Sequence, residues 1–251
     1  MKVFGLSLPL VKPGDDLPAM ISDAAKKVDG LRDGDVVVVS SKVVATAQGR
    51  VRDLTKVLPS ARARRIAAKS GQPPEFVELV LREAGQVLSV SRGVILTIRD
   101  GVICANAGAD ISNAPPGHAV LMPAKPDRAA DELRRALVEK SGARIGVIVA
   151  DSNVKPLRLG TIGQAIGVAG IEPVVDCRGQ PDLYGRPLQI TFRAIADQLA
   201  TAAQVVMGEC DERVPAVVVR EVKVELVEKP KHSPKISPKK CIYLGGLKLT
   251  R

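Results

Sequence analysis

The chain has 251 residues, of which 45% are apolar and 25% charged, so it can hold one or two packed domains and no more. No apolar run approaches the ~20 residues that span a bilayer, and the first five residues start no signal peptide, which points to a cytoplasmic protein. Aromatic residues are only 2%, leaving no stacking platform for single-stranded bases.

In chain order, Asp35–Ser40 reads as a buried strand after the turn signal Asp33-Gly34. Pro73-Pro74 opens a helix over Glu75–Leu88, with Phe76, Val77, Val80, Leu81, Ala84 and Leu88 at helical spacing. Val94–Ile98 and Val102–Cys104 flank Asp100-Gly101 as a hairpin. A second helix covers Asp127–Ser141 and stops at Gly142, and the strand Ile145–Ala150 follows it. A third helix covers Phe192–Met207, and Ala216–Val219 is a short strand. These elements lie in a body over residues 1–220, in one or two discontinuous lobes. Residues 221–251 form a lysine- and proline-rich segment, extended and exposed.

The formal charge of +10 is uneven, because residues 221–251 hold eight Lys/Arg against three Glu. A body so near balance is a poor nucleic-acid wrap, though a few basic groups suffice for a phosphorylated substrate. Cys104, Cys177, Cys210 and Cys241 form no C-x-x-C pair and are accompanied only by His118 and His232. Zinc of ordinary spacing and a Ser-His-Asp triad are therefore disfavoured, and any metal must be a hard one bound by oxygen.

Four polar or glycine-rich segments can carry chemistry. Asn106–Asn113 offers Asp110 and two amides, for a metal or for a turn. Asp151-Ser152-Asn153 follows a buried strand and serves a ligand crevice or caps the next element. Neither Asp110 nor Asp151 has a basic neighbour in its own loop, and we expect the two to share a metal. Arg158–Gly170 brings glycines at 160, 163, 167 and 170, which suit an anion or close helix packing. Asp176–Arg186 holds two carboxylates and two arginines, which bind an anion or pair with one another.

Taken in order, Leu8-Pro9-Leu10-Val11, Ser40-Ser41-Lys42-Val43-Val44, Ala105–Asn113, Asp151-Ser152, Gly167–Gly170, Asp176–Gly179, Asp182–Arg186 and Met207-Gly208-Glu209 resemble the coenzyme F420-0:L-glutamate (gamma-glutamyl) ligase family. The resemblance runs from about residue 6 to residue 220. It implies an α+β fold of mixed sheets and helices, in an intertwined, two-lobed subunit that forms a homodimer. It implies a GTP-dependent amide ligation in which the terminal carboxylate of coenzyme F420-0 becomes an acyl phosphate and the amine of L-glutamate displaces phosphate. Two divalent cations per site, Mg²⁺ or Mn²⁺, and K⁺ are implied with it. Carried over by motif, Asp110, Asp151, Ser152 and Glu209 are metal ligands, with Asp110 and Asp151 at the catalytic centre. Leu8, Pro9, Leu10, Val11, Ser40, Ser41, Thr46, Asn113 and the run Met207, Gly208, Glu209, Cys210, Asp211, Glu212, Arg213 and Val214 contact GTP.

The chain departs from the family at Val44–Gly49, where Thr46 replaces a nucleotide-contacting lysine and Gln48 a carboxylate. It departs again at Asn153-Val154-Lys155 and in its basic tail. Lys42 or Lys155 could take over the missing charge. The rival readings are a paralogous ligase with another carboxylate acceptor and a deazaflavin- or nucleotide-binding protein without turnover.

Overall fold

The computed structural model describes residues 1–245, so residues 246–251 of the basic C-terminal segment lie outside the described residues. The chain runs through β1 (Lys2–Leu6), α1 (Leu17–Ala25), β2 (Val36–Ser40), α2 (Ser41–Ala47), β3 (Val51–Asp53), α3 (Ala61–Ser70) and α4 (Pro74–Glu83). It continues with β4 (Gln86–Ser91), β5 (Val94–Arg99), β6 (Val102–Ala105), β7 (His118–Val120), α5 (Pro126–Ser141) and β8 (Gly146–Val154). Last come β9 (Thr161–Ala169), β10 (Val175–Asp176), β11 (Phe192–Arg193), α6 (Ile195–Met207) and β12 (Ala216–Arg220). The fold is mixed α+β. Among the described residues no helix is long and apolar enough to cross a membrane.

The main sheet has the order β1-β12-β2-β8-β9, with β2 and β8 parallel and the other pairs antiparallel. Its centre is β2, whose four valines, Val36 to Val39, have no exposed surface. A run that is β-branched at every position suits a strand covered on both faces. Val37, Val39, Val147 and Val149 face a core shared with α1 and α5, while Val36, Val38, Ile148 and Ala150 face one shared with α6. A second lobe, inserted between β2 and β8, packs α3 and α4 with β4-β5-β6 and β3-β7 around Phe76, Val77, Val80 and Ile95.

Three expected boundaries move. The helix expected to reach Leu88 ends at Glu83, because Ala84 turns extended (φ −74°, ψ 130°) and Gln86–Ser91 pairs with β5. Helical periodicity alone could not see that ladder. The helix expected from Phe192 starts at Ile195, since Phe192 and Arg193 pair with Val175 and Asp176. The strand expected to end at Ala150 runs on to Val154 against β9, so Asp151 lies within a strand and caps no helix. The Asp100-Gly101 turn forms as expected, with φ of 49° and 77°.

The glycines of β9 serve packing. A Cβ on Gly163 would lie 2.3 Å from the Ala200 carbonyl oxygen of α6, and one on Gly167 would lie 2.2 Å from that of Pro126 at the start of α5. The helices approach the sheet this closely only over bare backbone. The carboxylates and arginines of Asp176–Arg186 pair with one another, Arg178 on Asp176 at 2.7 Å and Arg186 on Asp182 at 3.0 Å. Arg178 holds the Asp176 carboxyl down at about 2.

The C-terminal segment is extended but fastened at its start. Val227 N–H donates to the Gly170 carbonyl (3.0 Å), and the Arg134 guanidinium forks onto Glu228 at 2.6 and 2.9 Å. Glu172, nearly inaccessible, accepts the backbone N–H groups of Lys231 (2.7 Å) and His232 (2.8 Å), with His232 Nδ1 at 3.0 Å. Burial works to raise this carboxyl, and the three hydrogen bonds outweigh it, leaving Glu172 below its ordinary 4.5. A depressed acid stabilises the folded arrangement above its unfolded pKa and loses that contribution as pH falls through the folded value. Hydrogen exchange of residues 225–235 is therefore expected to accelerate below pH ~4.5, before the main sheet exchanges. Equal acceleration in a Glu172→Gln variant would show that another group is responsible.

Candidate functional site

The candidate site lies where β2 ends beside its parallel neighbour β8, with Ser40 opposite Ala150 and β8 running on to Val154. Ser40 closes β2 and caps α2, its Oγ accepting from the Lys42 N–H at 3.3 Å. Its own N–H donates to the Pro215 carbonyl at 2.8 Å, tying the 207–214 loop to the strand end. The first two residues of α2 then reach two different carboxylates. Ser41 Oγ donates to Asp151 Oδ1 at 2.6 Å, and the Lys42 ammonium pairs with Asp110 Oδ2. Asp110 and Asp151, 41 positions apart in sequence, are thus held by consecutive residues.

The two carboxyls differ in environment. At Asp151 burial dominates and pushes the carboxyl above its usual range, against the Ser41 hydrogen bond and the Lys42 charge, while Asp110 adds to the rise. At Asp110 burial is overcome by hydrogen bonds from Lys42 and Ser112, and the carboxyl sits below its usual range. Ser112 donates to it through both Oγ (2.6 Å) and N–H (2.8 Å), so the loop forms the expected turn around this carboxylate. The Asp110 loop itself holds no basic residue, and Lys42 comes to the carboxylate from another element.

Ser152 follows Asp151 on β8 and so points to the opposite face of the strand. There its Oγ donates to Glu209 Oε1 at 2.7 Å, as does Thr161 Oγ1 at 2.9 Å, with Gln204 Nε2 on the same oxygen. The four expected ligands therefore form two pairs, Asp110 with Asp151 and Ser152 with Glu209. Among the described residues no three His, Cys, Asp or Glu side chains cluster as a metal site. The donors fit a hard divalent cation held by one or two carboxylates, with the remaining positions left to phosphate and water.

The expected nucleotide residues converge on the same rim. The loop after β1 holds Leu8 and Val11 buried and Pro9 and Leu10 exposed, and Leu8 N–H donates to the Arg213 carbonyl at 3.3 Å. Asn113 Nδ2 donates to the Cys210 carbonyl at 3.3 Å, joining the Asp110 loop to the 207–214 loop. Gly208 (φ 69°) stops α6, where a Cβ would strike the Glu212 carboxylate at 2.1 Å. Glu212 in turn accepts from the Cys210 N–H, while Asp211 and Arg213 are exposed and Met207 and Val214 are half-buried. Thr46 lies one turn beyond Lys42, its hydroxyl donating back to the Lys42 carbonyl at 2.8 Å. Lys155 lies near Asp197 instead, whose carboxyl burial raises against the Ala165 N–H hydrogen bond and the smaller effect of the Lys155 charge. Thr161 and Gln204 were absent from the expected site, and Lys42 entered it only as one of two lysines that could take over the charge missing at Thr46. Only Lys42 had a sequence signal, its place directly after Ser41.

A family model described as F420-0:Gamma-glutamyl ligase matches residues 5–221. The chain belongs to this family. Its relatives include proteins named Coenzyme F420:L-glutamate ligase from Methanopyrus kandleri, 46% identical over 217 residues, and from Archaeoglobus fulgidus, 44% identical over 217 residues. The alignments cover 86% of this chain in both cases, and 84% and 86% of those relatives. A third, from Methanothermobacter thermautotrophicus, is 41% identical over 215 residues, covering 85% of each chain. As a member of this family the chain is an enzyme, a ligase that forms carbon–nitrogen bonds.

Proposed function

We propose that this ligase joins L-glutamate to the terminal carboxylate of coenzyme F420-0, consuming GTP through an acyl phosphate and releasing GDP and phosphate. The observation that carries the reading is the bridge from Ser41 and Lys42 to Asp151 and Asp110, set among the five segments that the family pattern assigns to nucleotide and metal. Phosphoryl transfer asks a protein mainly to position reactants and offset charge. The amine of glutamate is the nucleophile of the second half-reaction, so the scarcity of histidine is no obstacle.

Divalent cations, Mg²⁺ or Mn²⁺, would be held by Asp110 with Asp151 and by Ser152 with Glu209, and would supply charge neutralisation at the phosphates. K⁺ assistance rests on the family resemblance. Leu8–Val11, Ser40, Ser41, Asn113 and residues 207–214 would wall the nucleotide. Incubation with coenzyme F420-0, L-glutamate, GTP and Mn²⁺ is expected to yield a mass gain of one glutamyl unit. No gain at saturating substrate would sink the reading.

A paralogous ligase acting on another carboxylate is the second reading, favoured by Thr46, whose hydroxyl is turned back on its own helix. If position 46 faces the phosphates, Thr46→Lys is expected to tighten GTP binding roughly 10- to 100-fold, the worth of one charge-assisted contact. Weaker binding in calorimetric titration would favour a pocket built around a different ligand.

We also propose a homodimer. Leu157 and Leu159 beyond β8, and Leu183, Tyr184 and Ile190 between β10 and β11, are almost fully exposed. Two apolar arms of this kind fit a second copy of the chain. Sedimentation at micromolar concentration is expected to exceed the 26.5 kDa of one chain, and a particle of that mass would count against the dimer.

A further inference from the structure

Lys42 follows Ser41 in a family motif and is one of the two lysines that could supply the charge missing at Thr46, yet its ammonium rests on a candidate metal ligand. Its ammonium pairs with Asp110 Oδ2 and lies 3.3 Å from the Ser112 carbonyl oxygen and 3.4 Å from Ser112 Oγ. All three partners belong to the loop that carries the candidate ligand. The lysine side chain is 28% exposed, so its ammonium sits at the rim, with a flexible stem and open space on one side. The charge of Asp151 is beside it as well. With both carboxylates ionised, Lys42 leaves the cluster at a formal charge of −1.

Two cations cannot share the same carboxylate oxygen at full strength. A divalent ion that takes Asp110 must displace the Lys42 ammonium or accept a longer, repelled geometry. The displaced ammonium stays tethered at the second residue of α2. One turn along the same face lies Thr46, where the family pattern has a lysine on the nucleotide.

We propose that Lys42 competes with the divalent cation for Asp110 and, once displaced, pairs with the phosphates of the nucleotide. This rests on the metal and nucleotide reading proposed above and adds an order to it. The cation alone binds against a competitor, whereas cation and nucleotide together satisfy both Asp110 and Lys42. Metal and nucleotide binding are thereby made mutually reinforcing, through one residue of this chain.

The test is Mn²⁺ binding to the full-length protein without nucleotide, followed by the electron paramagnetic resonance of free Mn²⁺. Lys42→Met is expected to bind Mn²⁺ at least about tenfold more tightly than the parent, the effect of removing one charge-assisted competitor. In saturating Mn²⁺ the same variant is expected to bind GTP at least about tenfold more weakly by calorimetry. Lys42→Arg keeps the competitor and should hold Mn²⁺ affinity near the parent's, and Lys42→Gln repeats the neutral case if the methionine variant folds poorly. Unchanged or weaker Mn²⁺ binding in the neutral variants, with a parent that binds Mn²⁺, overturns the competition while leaving the proposed reaction standing. Unchanged GTP affinity overturns the second half of the proposal. Failure of parent and neutral variants alike to take up Mn²⁺ overturns this inference together with the metal reading, whereas uptake by the neutral variants alone supports it.

Discussion

Asp110→Asn is expected to lower kcat/KM for the metal-dependent reaction on the order of 10³-fold, about 4 kcal/mol of transition-state stabilisation. The backbone of Asp110 exchanges both hydrogen bonds with Val120, at 2.9 and 2.8 Å, and asparagine keeps them. Its amide oxygen can still accept from Ser112, so the loop retains its turn. What disappears is the negative charge that Lys42 or a divalent cation meets. The variant should therefore melt cooperatively near the parent temperature while turnover collapses. Turnover within tenfold of the parent would remove Asp110 from the reaction centre.

The largest expected loss of stability lies far from that site. Asp35, 1% exposed, receives Arg220 Nε at 2.9 Å and a second guanidinium nitrogen at 2.8 Å, while Arg220 also donates to the Val28 and Gly30 carbonyls. This buried pair joins the start of β2 to the end of β12. Asp35→Ala leaves a guanidinium that is 8% exposed without its counter-charge, and the expected cost is about 3–5 kcal/mol. It should appear as a lower urea midpoint with an unchanged slope. Removing both partners, as Asp35→Ala with Arg220→Met, should recover part of the loss, because the larger penalty belongs to the unpaired charge. A double variant no more stable than the single one would mean that the pair itself, and not the orphaned charge, carries the stability.

Much of the architecture is local and so was legible in the chain. The valines of β2 announce a doubly covered strand, Asp100-Gly101 a hairpin, and Gly142 and Gly208 the ends of α5 and α6, because each depends on nearest-neighbour conformational preference. The segments bearing Asp110 and Asp151 were visible as polar interruptions after apolar strands, Glu209 came in only with the family resemblance, and the order of the motifs along the chain was enough to suggest that family. Elements that depend on partners were not visible. The strand Gln86–Ser91 exists because Val94–Arg99 lies beside it, and Phe192–Arg193 leaves the helix because Val175–Asp176 pairs with it. Gly163 and Gly167 looked equally fit for an anion until two helices came to rest on them. The roles of Lys42, Thr161 and Gln204 were likewise decided in three dimensions. A side chain that neutralises a carboxylate 68 residues away has no signature in its own neighbourhood, because Coulomb attraction follows distance in space and not position in sequence.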